Sequence, residues 1–446
     1  MNTPICDFVS QYAGSGFARL HMPGHKGTEL LGCEAYDITE ITGADSLYEA
    51  SGIIKESEAN ASALFGCNTF YSTEGSSLCI RAMLYLALLH AKENVLSNTV
   101  LAGRNAHKAF LSAAVLLDLQ VKWMYGTEKS TYLSCSITPE YLDELLSDCE
   151  QKPMAVYITS PDYLGNISDI RGLSEVCRKH GVLLLADNAH GAYLKFLPCS
   201  LHPIDSGADM CCDSAHKTLP VLTGGAYLHI SESAPSVLAE NAKDALSLFG
   251  STSPSYLILQ SLDMANKYLS EHLPEELSRT CKRVRNLKDR LTLMGYSLYG
   301  NEDLKITIEA KPFGYTGTQL AEILRENSIE CEFSDPDFLV LMLTPQSGDN
   351  IFSDLEAALA RIPQKAPIAC KASPLGHAET VMSARQAMLS RAESIPVSES
   401  VGRVLACTCV SCPPAVPVVV CGERITPQAV SLFEYYNIKT CKVIKE

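Results

Sequence analysis

Two residues thirty positions apart carry the plainest chemistry in this sequence: Asp187, closing the run VLLLADNAHGAY, and Lys217, in GADMCCDSAHKTL. A lysine amine can condense with an aldehyde cofactor. A nearby carboxylate can keep a pyridine nitrogen protonated, so that the ring accepts electrons. Together they are the minimum kit for pyridoxal phosphate chemistry. Such a lysine must lose its proton at working pH, which burial beside a cationic imine promotes. Ser214 and His216, just before Lys217, can hydrogen-bond phosphate oxygens. His190, on the loop after Asp187, can orient that acid or simply be a satisfied loop histidine. Taken alone, the aspartate and lysine are weak signals, and a strand-end acid with a surface lysine is the plainer reading.

The elements needed to position these groups are legible. Val182–Leu185 is an apolar run bounded by Gly181 and by polar residues, the pattern of a buried parallel strand. Ligands of such sheets bind outside the carboxyl ends of the strands, where Asp187 stands. From Ser57 onward the pattern alternates: helical ESEANASALFG, strand-like CNTFYST, then the long apolar helix GSSLCIRAMLYLALLHA. NTVLAG and MAVYIT are further strands, AFLSAAVLLDL and Gly172–His180 are helices, SPDYLGNISDI is a loop, and GGAYLHI continues the sheet. This repetition predicts a mostly parallel sheet with helices on both faces. Gly75, Ser76 and Ser77 stand where a strand gives way to a helix start, with N–H groups and hydroxyls suited to a phosphate. An ordinary serine N-cap is the plainer alternative. His107, at the next strand-to-helix junction, can be a cap or a solvated side chain. Likewise Ser251, Thr252 and Ser253 can be a helix-start cap, and Glu423 a surface acid. The first sixty residues read as an arm with little periodicity, and HMPGHKG (His21–Gly27) as a Pro-Gly turn. After STSPSY (Ser251–Tyr256) a helical pattern runs from Leu257 to about Met294. LKITIEA, a helix over Gln319–Glu326, CEFSD, FLVLMLT and a helix over Asp354–Arg361 then suggest a smaller α+β unit. AETVMSARQAML reads as one more helix, and the rest, from Pro396, as short strands rich in Pro and Cys.

Composition narrows the partners. The 446 residues suffice for two or three domains and a large core. With 36 Lys plus Arg against 51 Asp plus Glu, the net charge is −15, which argues against a nucleic-acid partner. The 18 cysteines show no disulfide framework and read as reduced intracellular thiols. Cys407, Cys409, Cys412 and Cys421 lack a paired zinc spacing, so no metal is expected. The N-terminus shows no secretory signal, and the long uncharged run Val404–Gly422 is broken by Pro413, Pro414 and Pro417. A cytoplasmic protein that does not span a membrane is expected.

Six stretches stand in one order: HMPGHKG, STEGSS (Ser72–Ser77), RNAHK (Arg104–Lys108), DNAHGAY, SAHKTL and STSPSY. On these the chain closely resembles the bacterial pyridoxal-phosphate-dependent ornithine/lysine/arginine decarboxylases, from about Phe17 to PPAVPVVVCGERIT. The resemblance implies an α/β large domain of the aspartate aminotransferase type (fold type I) with a smaller α+β C-terminal region. Its domains would be an arm (1–55), a cofactor-binding large domain (56–265), a small α+β domain (266–365) and a C-terminal domain (366–446). It implies that Lys217, Asp187 and His107 are catalytic, His107 lying flat on the cofactor ring. Gly75, Ser76, Ser77, His190, Ser214 and His216 would complete the cofactor site. Ser251 and Thr252 would reach the partner subunit's cofactor phosphate, making a homodimer or larger assembly with shared sites, and the arm would cross the same interface. Glu423 would receive the distal cation of arginine, lysine or ornithine. The extra N-terminal domain of the family's acid-inducible members is not seen, which implies a biosynthetic role. An aminotransferase or lyase on the same fold, or a silent regulatory paralogue, are the alternatives. Three departures stand out. The family's usual Gly-Thr-Ser is Gly75-Ser76-Ser77, which keeps the hydroxyl. Its Asp-Glu-Ala-His-Gly is Asp187-Asn188-Ala189-His190-Gly191, which loses a charge but not the pyridine partner. Its Pro-Tyr-Pro-Pro-Gly-Ile-Pro is Ser411-Cys412-Pro413-Pro414-Ala415-Val416-Pro417, which alters the substrate-side wall. The Asp-Asn-Ala-His string also looks like the acidic box of helicases, but no glycine-rich phosphate loop ending in Gly-Lys accompanies it.

Overall fold

The computed structural model describes all residues except 127–130, 371, 373, 374, 409, 410, 413–415 and 446, and the side chains of 411 and 412. Met1–Asn98, Pro139–Ser160 and Asp169–Glu276 form one compact unit. Thr99–Thr138, Pro161–Ser168 and Leu277–Glu446 form the other.

In chain order the first strands are β1 (Asn68–Ser72), β2 (Thr99–Gly103), β3 (Gln120–Met124), β4 (Ala155–Thr159), β5 (Leu183–Asp187), β6 (Met210–Asp213) and β7 (Ala226–Ile230). Within the first unit they run β1-β7-β6-β5-β4. β4, β5 and β6 are parallel, while β7 is antiparallel to both β6 and β1. Every residue of β5 is buried, as expected of a parallel strand covered on both faces. The helix that feeds it, Ile170–His180, is specified at both ends. Asp169 accepts from the Gly172 amide at 3.0 Å, Gly181 closes the helix at φ 62°, and Arg178, Lys179 and His180 oppose the helix dipole. Chain direction and strand end are thereby fixed, and Asp187 is the last residue of β5.

The arm is not wholly aperiodic: Pro4–Ala13 is a helix, and the Ile5 and Cys6 amides both donate to the buried Asp263 Oδ2 at 3.0 Å. The helical pattern after Ser255 is two helices, Tyr256–Glu271 and Leu273–Leu293. Pro274 cannot donate to the preceding turn, so the first helix ends before it and proline takes an opening position of the second.

In the second unit β2 and β3 pair in parallel. Strands β8 (Ser297–Tyr299), β9 (Lys305–Glu309), β10 (Phe333–Ser334) and β11 (Phe338–Met342) form an antiparallel sheet, with helices Gly317–Glu326 and Asp349–Ala360. β12 (Ala392–Pro396), β13 (Ser411–Cys412), β14 (Val416–Pro417) and β15 (Thr440–Ile444) make two small sheets, β12 with β15 and β13 with β14. A cluster including Leu405, Val418, Ile425, Phe433 and Val443 forms their core. Helix Ala384–Leu389 is shorter than AETVMSARQAML suggests, because a Ser383–Gln386 capping box starts it late. Pro427–Tyr435 is an additional helix opened by Thr426 and Pro427. No described helix is long and apolar enough to cross a membrane.

Candidate active site

Strand ends and turns of the first unit collect most of the predicted residues. Asp187 is buried, and three donors face its carboxylate: Tyr157 OH at 3.0 Å, the Ala189 amide at 3.2 Å and Cys212 Sγ at 3.7 Å. Burial, then the charge of Asp187, pushes both the Tyr157 hydroxyl and the Cys212 thiol well above their usual ranges, so both remain protonated donors. Lys217 lies in the short helical turn Ala215–Thr218, with Nζ 3.0 Å from His190 Nε2. The contact seen for His190 is therefore with the lysine, whereas the groups on Asp187 are Tyr157, Ala189 and Cys212.

A hydroxyl pair lies next to this turn: Ser214 Oγ donates to Ser76 Oγ at 2.8 Å. Ser76 belongs to the first turn of helix Gly75–Glu93, whose opening amides have no intrahelical acceptors. The N-cap is Glu74, without a side-chain cap bond, so the serines do not serve as N-caps. Gly75 has φ +70°, a left-handed conformation natural to glycine, and its amide donates to Gly224 O at 2.7 Å. Gly224 must also be glycine: at φ +101°, a Cβ would stand 2.8 Å from Thr73 O. The next residue, Gly225, accepts from the His216 amide at 3.2 Å and from its Nδ1–H at 2.9 Å. Burial, aided by the Lys217 charge, holds His216 below the usual histidine range, so the neutral ring presents a lone pair at Nε2. Ser77 sits in the same helical turn.

Ser251 and Thr252 are exposed, and the Ser251 amide donates to Glu74 Oε1 at 2.5 Å. They do not cap the following helix, whose N-cap is Ser255.

His107 and Glu423 belong to the second unit. His107 is the N-cap of helix Lys108–Leu117, its Nδ1 accepting from the Ala109 amide at 3.2 Å, which leaves the proton on Nε2. The cap reading of this histidine therefore holds. Glu423 is not a surface acid: it is 2% exposed. Its Oε2 accepts from the Val420 amide at 2.7 Å and faces Arg104 Nη2 at 3.5 Å, while Oε1 is buried without a hydrogen-bond partner among the described residues. Burial raises its affinity for a proton, against the pull of Arg104. Arg104 also donates to Pro417 O at 2.8 Å and Val418 O at 2.9 Å and lies over the Trp123 ring at 5.3 Å. Of the altered stretch 411–417, residues 413–415 and the side chains of 411 and 412 lie outside the described residues, as do Cys409 and the Cys412 side chain of the cysteine group.

Tyr157, Cys212 and Arg104 escaped the sequence reading. Tyr157 and Cys212 sit inside apolar strand runs, where a lone polar atom is hard to see, but Arg104 opens a motif already singled out.

Residues 3–299 match the description Orn/Lys/Arg decarboxylase, major domain, and residues 370–443 match its C-terminal domain. The chain belongs to the Orn/Lys/Arg decarboxylase family. It is thus an amino-acid decarboxylase, a lyase of the pyridoxal-phosphate-dependent class. Among relatives, Bacillus subtilis protein YaaO is 29% identical over 99% of this chain and 95% of its own length. An arginine decarboxylase of the same organism is 28% identical over 96% of this chain and 92% of its own. The constitutive lysine decarboxylase of Escherichia coli superposes with a TM-score of 0.78 at 18% identity, covering all of this chain and 82% of that one. The fold is that of fold-type-I pyridoxal phosphate enzymes, with a mostly parallel sheet and a small C-terminal region.

Proposed function

We propose that this decarboxylase binds pyridoxal phosphate and removes the α-carboxyl group of arginine, lysine or ornithine. The products would be agmatine, cadaverine or putrescine, for polyamine biosynthesis in the cytoplasm. The observation that carries the reading is Lys217 Nζ, 3.0 Å from His190 on the loop that leaves the buried Asp187. The donor set fits the cofactor: an amine for its aldehyde, a buried carboxylate for its ring nitrogen, and hydroxyls with helix-opening amides for its phosphate. When bound, the cofactor supplies the electron sink that accepts the bonding pair as CO₂ leaves.

This chain's residues do the rest. Tyr157, the Ala189 amide and Cys212 hold the Asp187 carboxylate in place, where it would face the ring nitrogen. Ser76, Ser77, Ser214 and the Gly75 turn hold the phosphate. For neutral His216 to donate to a phosphate it must take a second proton, which the phosphate's charge favours. His107, its ring orientation fixed by its capping bond, would lie against the cofactor ring. Glu423 receives the substrate's distal cation: a buried carboxylate with one oxygen unsatisfied is the kind of group a guanidinium or ammonium completes. Ser251 and Thr252 serve the phosphate of a second subunit.

Purified protein offered arginine, lysine and ornithine separately is the test, with released amine identified by mass spectrometry. One amine from one substrate names the substrate. No amine from any of the three, with cofactor bound, would sink the proposal and favour the aminotransferase reading.

A further inference from the structure

The carboxylate of Asp213 lies fully buried at the end of β6, in the residue just before Ser214-Ala215-His216-Lys217. Its Oδ1 accepts from Asn188 Nδ2 at 2.6 Å, and its Oδ2 accepts from His202 Nε2 at 3.1 Å and His229 Nε2 at 3.2 Å. Asn188 in turn is the residue after Asp187, and its amide donates to Cys212 O at 3.0 Å. His229 stands on β7 opposite Cys211 of β6 and Thr69 of β1, and its Nδ1 meets Thr69 Oγ1 at 2.9 Å. One carboxylate thus ties together β7, the loop holding His202, the residue that follows Asp187 and the residue that precedes Ser214. We infer that Asp213 is a positioning residue: through Asn188 it sets the strand end that aims Asp187, and through the backbone it sets the turn bearing Ser214 and Lys217.

Two observations support this over a passive buried network. Burial opposes ionisation of Asp213, yet its two imidazole contacts hold it well below the usual carboxylate range, so the acceptor stays an anion and its donors stay fixed. The side chain at position 188 is also an amide, its Nδ2 2.6 Å from Asp213 Oδ1. A carboxylate at that spot would face the Asp213 carboxylate, whereas asparagine offers it an N–H; the two residues are a matched pair. His202, Cys211 and Asp213 do lie within 4.8 Å of one another, close enough for a metal. But three N–H groups already occupy Asp213, and burial pushes the Cys211 thiol well up, so the Asp213 oxygens are satisfied without a cation.

The inference rests on the proposed cofactor site, and its test separates the two. Cofactor affinity and the absorbance spectrum of the bound cofactor are measured for wild type, Asp213→Asn, Asp213→Ala and Asn188→Ala, alongside apo-protein melting. With the Asn188 side-chain amide turned over, asparagine at 213 can accept both histidines with its oxygen and donate to Asn188 Oδ1, which has no partner among the described residues, so near-wild-type affinity and spectrum are expected. Asp213→Ala should weaken cofactor binding about tenfold and shift the absorbance band as Asp187 loses its aim. Asn188→Ala leaves Asp213 its histidines, so it keeps the test alive if Asp213→Ala does not fold; the same shift is expected. Unchanged affinity and spectrum in folded Asp213→Ala or Asn188→Ala would overturn the positioning role alone, even with a lowered melting temperature. A wild-type protein that binds no cofactor would overturn both readings.

Discussion

Lys217 and Asp187 make the sharpest claims that single residues can carry here. Replacing Lys217 by alanine should abolish both the absorbance band of bound cofactor and borohydride fixation of cofactor to the chain. Fixation that persists would move the reactive amine elsewhere. Asp187→Asn should still bind cofactor but lose more than about tenfold in turnover, ~1.4 kcal/mol of barrier, because a neutral ring draws electrons poorly. A smaller loss in steady-state kinetics would remove Asp187 from the ring nitrogen. Both residues were legible because each ends or follows a short distinctive string. Tyr157 and Asp213 were not, because their meaning arises only across strands. Tyr157 pairs with Leu185 in register, and its long side chain reaches forward to Asp187. No local pattern in MAVYIT announces that reach. Glu423 shows the opposite difficulty: its motif was visible, but its burial against Arg104 was not, since the two stand 319 positions apart.

At the level of elements, the turn entering helix Gly75–Glu93 is the most exposed to test. A Cβ on Gly75 would meet nothing closer than His216 Cε1 at 4.0 Å, so Gly75→Ala would act through backbone strain alone. The left-handed conformation costs an alanine ~1–2 kcal/mol, and relief would swing the opening turn, with Ser76, away from Ser214. Cofactor affinity should fall by about an order of magnitude by titration, with helix content by circular dichroism unchanged. Unaltered affinity would show that this turn does not hold the phosphate. Elements with paired start and stop signals, such as Ile170–His180, were readable from sequence. Periodicity alone overran its bounds twice, across Pro274 and before Ser383, where proline and a capping box mark the true limits. The helix Pro427–Tyr435 had a Thr-Pro opening but hid among the short strands of its neighbourhood.

For the whole molecule the question is whether one chain makes a site. The arm leaves Phe17, Leu20, Leu30 and Leu31 between 73% and 92% exposed, apolar surface that a lone subunit would present to water. The proposed isologous dimer, in which Ser251 and Thr252 reach the partner's site, can be tested directly. Mixing Lys217→Ala chains with chains altered at Ser251, Thr252 and Ser253 together should then restore activity. About half of the randomly exchanged dimers are mixed and each carries one intact site, so roughly a quarter of wild-type turnover is expected. No recovery after verified exchange would mean that the loop serves its own chain, where the Ser251 amide already meets Glu74. The fold class was legible from alternation and motif order, which are linear properties. The choice among three basic substrates was not, because it depends on distances at the far end of the substrate that no string of residues encodes.

Cys212 gives this enzyme a clock. Its sulfur touches the Asp187 carboxylate inside the sheet, and burial keeps it a thiol rather than the reactive thiolate. Cys199 and Cys370 lie at the surface and can be alkylated without any opening of the fold. Labelling of Cys212 must wait until β5 and β6 part, so its rate, read by peptide mass spectrometry, counts the openings of the strands that carry the ring partner. With cofactor bound, that rate should slow in proportion to ligand occupancy while surface labelling stays constant. Equal slowing at all three cysteines would mean that the alkylating reagent, and not the protein, sets the pace.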